Sequence, residues 1–100
     1  MTTRVEELDG KWMAKLEGEM DTAAAVQAEE ILKPLYTADG KDVIIDCKGL
    51  EYIASSGLRI LLGILKGAKA SGSRVVLTGV NEDIKNVFSL TGFIDLFDFE

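Results

Sequence analysis

The sequence predicts an α/β fold, a small mixed β-sheet flanked by helices, and three observations carry that expectation. Asp9-Gly10 separates two strand-like runs and supplies the positive backbone angles of a tight two-residue hairpin turn. Two Val/Ile-rich segments, Asp42 to Cys47 and Arg74 to Thr78, are each followed by apolar residues at helical spacing. With 100 residues, 47% of them hydrophobic, there is material for one modest core, so residues 1–100 are expected to form a single domain. A hairpin pairs antiparallel and strands joined through helices pair parallel, which makes the sheet mixed.

The hairpin arms are Val5 to Leu8 and Lys11 to Leu16, and in the second Trp12, Ala14 and Leu16 alternate with charged residues. Asp21 and Thr22 are candidate caps for a helix with Ala25, Ala28, Ile31, Leu32 and Leu35 on its core face. Pro34 should kink that helix or end it early. Ala38-Asp39-Gly40-Lys41 then turns into the Asp42 to Cys47 strand, whose Val43-Ile44-Ile45 core suits cover on both faces.

From Leu58 to Ala68 the next helix carries Leu58, Leu61, Leu62 and Leu65 on one stripe and Ile60 and Ile64 on another. The second stripe is offered as partner surface, the alternative being that it packs on a neighbouring helix. Gly63 and Gly67 lie on adjacent turns and admit the close approach of another backbone. Arg74 to Thr78 is a strand, and Asn81 caps a third helix with Ile84, Val87 and Phe88 inward and Gly92 as its stop. Phe93 to Phe99 should dock as a short helix or turn. There are no internal repeats, low-complexity segments or linkers.

The bulk chemistry narrows the function. A net charge of −6 with scattered lysines argues against direct nucleic-acid binding. Histidine is absent, which removes the commonest general base and metal ligand, so neither a metal nor another cofactor is expected. One cysteine, Cys47, cannot bridge within the chain and reads as a buried small hydrophobe at a strand end. No secretory leader pattern or membrane-length apolar run is present, so a cytoplasmic protein without membrane insertion is expected.

The junction Tyr52-Ile53-Ala54-Ser55-Ser56-Gly57-Leu58-Arg59 places two hydroxyls where strand gives way to helix. Either hydroxyl can cap the helix, and the helix N-terminus also tolerates a phosphate. Arg59, one turn beyond Ser55, is either a cation within reach of that phosphate or a solvated surface charge. Ser55 as a catalytic nucleophile would lack histidine as base, with only lysines and carboxylates left for that role, so no enzyme activity is expected. Asp46 as a phosphate-accepting aspartate lacks a preceding acidic pair.

The segment Asp46-Cys47-Lys48-Gly49-Leu50-Glu51-Tyr52-Ile53-Ala54-Ser55-Ser56-Gly57-Leu58 resembles the phosphorylation loop of STAS domains, the family of anti-sigma factor antagonists. Gly18-Glu19-Met20-Asp21 and Leu90-Thr91-Gly92-Phe93 extend the resemblance over essentially the whole chain. It implies a STAS fold and a partner-switching mechanism. In that scheme the unmodified protein binds an anti-sigma factor that is itself a serine kinase and so frees a sigma factor to regulate transcription. Phosphorylation dissolves the complex, and a serine phosphatase restores it. The resemblance gives Ser55 as acceptor, with Ser56 as the alternative, and sets Asp21 in the region that meets the kinase; together with the helix-start and second-stripe readings this makes Asp21, Ser55, Ser56, Gly57, Arg59 and Ile60 the expected partner-binding residues. The family's well-studied members usually carry Asp before the acceptor, where this chain has Ala54. That departure motivates the alternative of a STAS scaffold or regulatory subunit that binds an ATPase, transporter or signalling complex without phosphorylation. Glu19 and Glu51 would repel a phosphate on Ser55 if they lie close to it.

Overall fold

A computed structural model describes all 100 residues. The chain runs β1 (Thr2–Leu8), β2 (Lys11–Met20), α1 (Thr22–Leu32), two 3-10 turns (Lys33–Tyr36 and Ala38–Gly40), β3 (Val43–Ile53), α2 (Ser55–Ala70), β4 (Val75–Thr78), α3 (Glu82–Leu90) and β5 (Asp98–Phe99). Sheet order is β1-β2-β3-β4-β5, antiparallel for the first pair and parallel for the rest. The hairpin turns where the sequence places it, with Asp9 and Gly10 both at positive φ, 54° and 73°.

One apolar cluster draws on all three helices and on β2, β3 and β4. Ala25, Ala28 and Leu32 enter it from α1, and Pro34 ends that helix by opening a 3-10 turn, where its missing N–H costs nothing. Leu35 stays buried in the turn, but Ile31, expected on the core face, is exposed. The α2 helix is buried on two sides. Leu58, Leu61 and Leu65 sit in the core, and so do Ile60, at 6% exposure, and Ile64, at 0%. The second stripe therefore packs inward, against the expectation that Ile60 and Ile64 meet a partner. Gly63 and Gly67 explain how. The segment carrying Tyr36 lies directly on them, and a Cβ on Gly67 would stand 1.7 Å from the Tyr36 carbonyl oxygen.

The β3 strand runs six residues past the expected end at Cys47, and it does so by bulging. Lys15 pairs with Asp46 but Glu17 with Gly49, and Gly18 pairs with Leu50 but Glu19 with Tyr52, so β3 twice holds one residue more than β2. Its buried positions follow suit: Val43, Ile45, Cys47, then Leu50 and Ile53. Alternation fails where the register shifts, which is why the strand signal stops at Cys47. Cover on both faces is also corrected. Met13, Ile44 and Val76 form a row across β2, β3 and β4 that lies outside the core cluster, with Met13 and Ile44 only half-buried.

The tail makes the expected turn rather than a helix, and then adds an unexpected strand. After turning at residues 94–96 it ends as β5, paired parallel with β4, and Phe88 stacks edge-to-face on Phe97 and Phe99 at 5.4 and 5.5 Å. Asn81 caps α3 through Ile84 N at 2.8 Å, and its amide also donates to the Leu50 carbonyl at 3.2 Å, tying α3 to the bulged part of β3.

Candidate functional site

The site is built where β2 and β3 end together. Ala54 N–H donates to the Met20 carbonyl at 2.8 Å, which holds the start of α2 beside the turn carrying Asp21. Gly57 lets the first turn of α2 settle on those strand ends, since a Cβ there would stand 2.6 Å from Met20 Sδ and 2.8 Å from Ile53 Cγ1. It is itself buried and offers no side chain to a partner, so packing accounts for its place in the motif.

The N-cap of α2 is Ala54, extended at φ −80° and ψ 167°, and no side chain caps the helix. Neither serine is the cap that the sequence suggested. By contrast α1 is capped by Asp21, which accepts from Ala24 N at 2.8 Å, and α3 by Asn81. The first N–H groups of α2 are therefore left open at the helix's positive end.

The two hydroxyls part company here. Ser55, the first residue of α2, is exposed. Ser56 Oγ is buried with no hydrogen-bond partner, at the edge of a groove of about 310 Å³ between α1 and α2. Arg59 is exposed and makes no ion pair. It lines that groove and also a second cleft of about 250 Å³, which it shares with Ser55, Leu58, Leu62, Thr91 and Phe93. Ile60 reaches only the floor of the first groove. The structure thus gathers Asp21, Ser55, Ser56 and Arg59 around one helix end, with Gly57 and Ile60 as the packing beneath.

Asp46, Cys47 and Tyr36, the other titratable residues near the site with bonds or burial of their own, are structural. Asp46 Oδ1 accepts from Lys48 N at 2.9 Å and shapes the first bulge. Cys47 is 2% exposed, and burial, with the Asp46 charge adding, pushes its thiol up to about 12. Tyr36 donates to Glu29 at 2.8 Å, and desolvation together with that carboxylate raises its phenol to about 12. Glu19 and Glu51 are exposed near the ends of the two strands that lead to α2. The groove-wall role of Tyr36 escaped sequence reading. The Gly63 and Gly67 spacing was the available signal, because it announced a close neighbour without naming it.

A five-stranded mixed sheet with its helices gathered on one core, opening at the N-terminus of α2 beside the α1 cap, is the arrangement of STAS-fold regulatory domains. The sequence model described as the STAS domain matches residues 2–100. A protein of Bordetella bronchiseptica named as an anti-sigma factor antagonist, BtrV, is 30% identical over 97% of this chain and 84% of its own length. An anti-sigma factor antagonist from Mycobacterium paratuberculosis has a solved structure that is 29% identical, covers 98% of this chain and 83% of its own, and superposes with a TM-score of 0.79. The Bacillus cell fate determinant SpoIIAA, solved in its phosphorylated form, shares the fold at a TM-score of 0.75 and 20% identity, over 99% of this chain and 91% of its own. The chain belongs to the STAS domain family, among its anti-sigma factor antagonists. These are regulatory proteins that bind partners in partner-switching systems. No helix is long and apolar enough to cross a membrane.

Proposed function

We propose that this protein binds an anti-sigma factor serine kinase through the surface around the start of α2, and that phosphorylation of Ser55 releases it. The γ-phosphoryl group of ATP would pass to Ser55 Oγ, with loss of the hydroxyl proton and departure of ADP. A serine phosphatase would hydrolyse the ester and reset the switch. Binding frees a sigma factor, so the protein acts on transcription from the cytoplasm without catalysing a reaction itself.

One observation supports this above the rest. Of the two serines, only Ser55 stands exposed at the open N-terminus of α2, while the Ser56 oxygen is buried. A kinase needs the hydroxyl, and a helix N-terminus carries the added charge without refolding. Asp21, which caps α1 next door, and Arg59 complete the surface a partner would read.

Kinase and ATP test this directly. A single phosphate should appear on the wild type and on Ser56→Ala and be absent from Ser55→Ala. Ser55→Asp should weaken the kinase complex by about tenfold or more, and Ser55→Ala much less. An active kinase that leaves Ser55 unmodified, together with an affinity indifferent to Ser55→Asp, would sink the switch. Ala54 supports the second reading, a STAS subunit that scaffolds an ATPase, transporter or signalling complex. Stable capture of a non-kinase partner, unaffected by Ser55→Asp, would select it.

A further inference from the structure

We infer that Arg59 is a built-in clasp for the phosphate on Ser55, holding it over the cleft between α2 and the turn after α3. The inference rests on Ser55 being the modified residue and adds how the modification is read.

Four residues on one helix bring side chains one above the other, so Ser55 and Arg59 share a face of α2. They also line the same cleft, in which Arg59 is the only charged residue. Two further observations direct Arg59 to the phosphate. It makes no ion pair, although the chain carries 17 acidic residues. The other polar side chain of the cleft is already engaged: Thr91 Oγ1 donates to the Val87 and Phe88 carbonyls at 2.8 and 3.1 Å. A phosphate on Ser55 therefore meets one guanidinium able to donate two parallel hydrogen bonds, together with the open N–H groups of the helix.

The clasp gives the switch its geometry. Unclasped, a phosphate on an exposed serine would project into solvent. Clasped, it lies across the mouth of a cleft walled by Leu58, Leu62 and Phe93 and withdraws the Arg59 charge from any partner carboxylate. One modification then changes both the shape and the sign of charge at the end of α2.

The charges around the phosphate act in opposite directions. Arg59 and the helix end stabilise the dianion, whereas Asp21 at the α1 cap, Glu19 on β2, Glu51 on β3 and Glu29 across the α1–α2 groove oppose it. The informative quantity is thus the change on removing Arg59. Phosphoserine is installed at position 55 during translation, so no kinase is needed, and the second phosphate ionisation is followed by 31P NMR against pH. Arg59→Gln should raise that pKa by about 0.5 unit or more, roughly a threefold change in acidity, and Arg59→Lys should restore part of the shift. The difference should shrink in about 1 M salt. Circular dichroism melts confirm that these exposed-site variants fold. If the phosphoproteins with Arg59 intact and with Arg59→Gln titrate within roughly 0.1 unit of each other, well below the shift expected of a contacting charge, the clasp is overturned and the switch stands. Failure of the kinase to use Ser55 overturns the switch and leaves this titration interpretable.

Discussion

Gly63 and Gly67 lie one turn apart on α2, face the same neighbour and should respond to alanine very differently. Both substitutions gain up to about 1 kcal/mol of helix propensity. The added Cβ then meets different obstacles. At Gly67 it would sit 1.7 Å from the Tyr36 carbonyl oxygen and 2.7 Å from the carbonyl carbon, so backbone must retreat by about 1.3 Å to reach the 3.0 Å limit of real contacts. That backbone is anchored. Leu35 and Ala38 on either side are fully buried, and Trp12 Nε1 donates to the Ala38 carbonyl at 3.2 Å. Overpacking costs about 1–3 kcal/mol, occasionally more, and a retreat of anchored backbone lies at or above the top of that range, so after the propensity gain Gly67→Ala should lose a net ~2 kcal/mol or more. At Gly63 the obstacle is Tyr36 Cε1 at 2.8 Å, the edge of a half-buried ring held by an exposed bond to Glu29. A few tenths of an ångström of ring movement relieves it, and Gly63→Ala should stay within about 1 kcal/mol of wild type. Urea unfolding of the three proteins measures the difference directly. In thermal melts it should appear as a Tm drop on the order of 10–20 °C for Gly67→Ala alone. Equal stabilities of the two variants would refute the backbone-contact reasoning.

Ala54→Asp should stabilise the protein by about 1 kcal/mol in urea titrations, because Ala54 already has the extended conformation of a cap and lacks only the acceptor. Cys47 should resist thiol reagents in native protein and react on unfolding, since its thiol is pushed to about 12 by burial. The raised pKa also sets a pH dependence: above about 9 the unfolded thiol ionises while the folded one stays protonated, so its contribution to stability declines from pH 9 towards 12. The slope approaches ~1.4 kcal/mol per pH unit, and Cys47→Ala should flatten it.

The parts legible in the sequence are those whose signals are local. Asp9-Gly10 specifies its turn by backbone angles alone, Asp21 and Asn81 cap helices within three residues of themselves, and Pro34 stops α1 by opening the 3-10 turn that follows it. Ile60 and Ile64 misled because a helix apolar on two stripes does not say whether its second neighbour belongs to the same chain, and here both are buried within it, on the side of α2 that meets α1 and the Tyr36 segment. β5 was hidden because two residues carry no period of their own, and Phe97 and Phe99 find their place only through Phe88. At the site, the motif placed Ser55 and Ser56 at the helix start, but which hydroxyl faces solvent depends on how the first turn of α2 rests on Met20 and Ile53.

The two extra residues of β3 act as a counter. From Trp12 to Met20 β2 spans nine residues, while β3 takes eleven, Val43 to Ile53, to arrive level with it. Removing one would either set Ala54 one strand step, about 3.3 Å, out of register with Met20 or turn the following side chains to the opposite face, and both outcomes move Ser55 from its present position. The core strands could survive such a deletion while the helix end pointed elsewhere. Anyone transplanting this recognition end onto another sheet must therefore carry the whole stretch from Asp46 to Gly57 with its count intact, because its aim is encoded in length as much as in residue type.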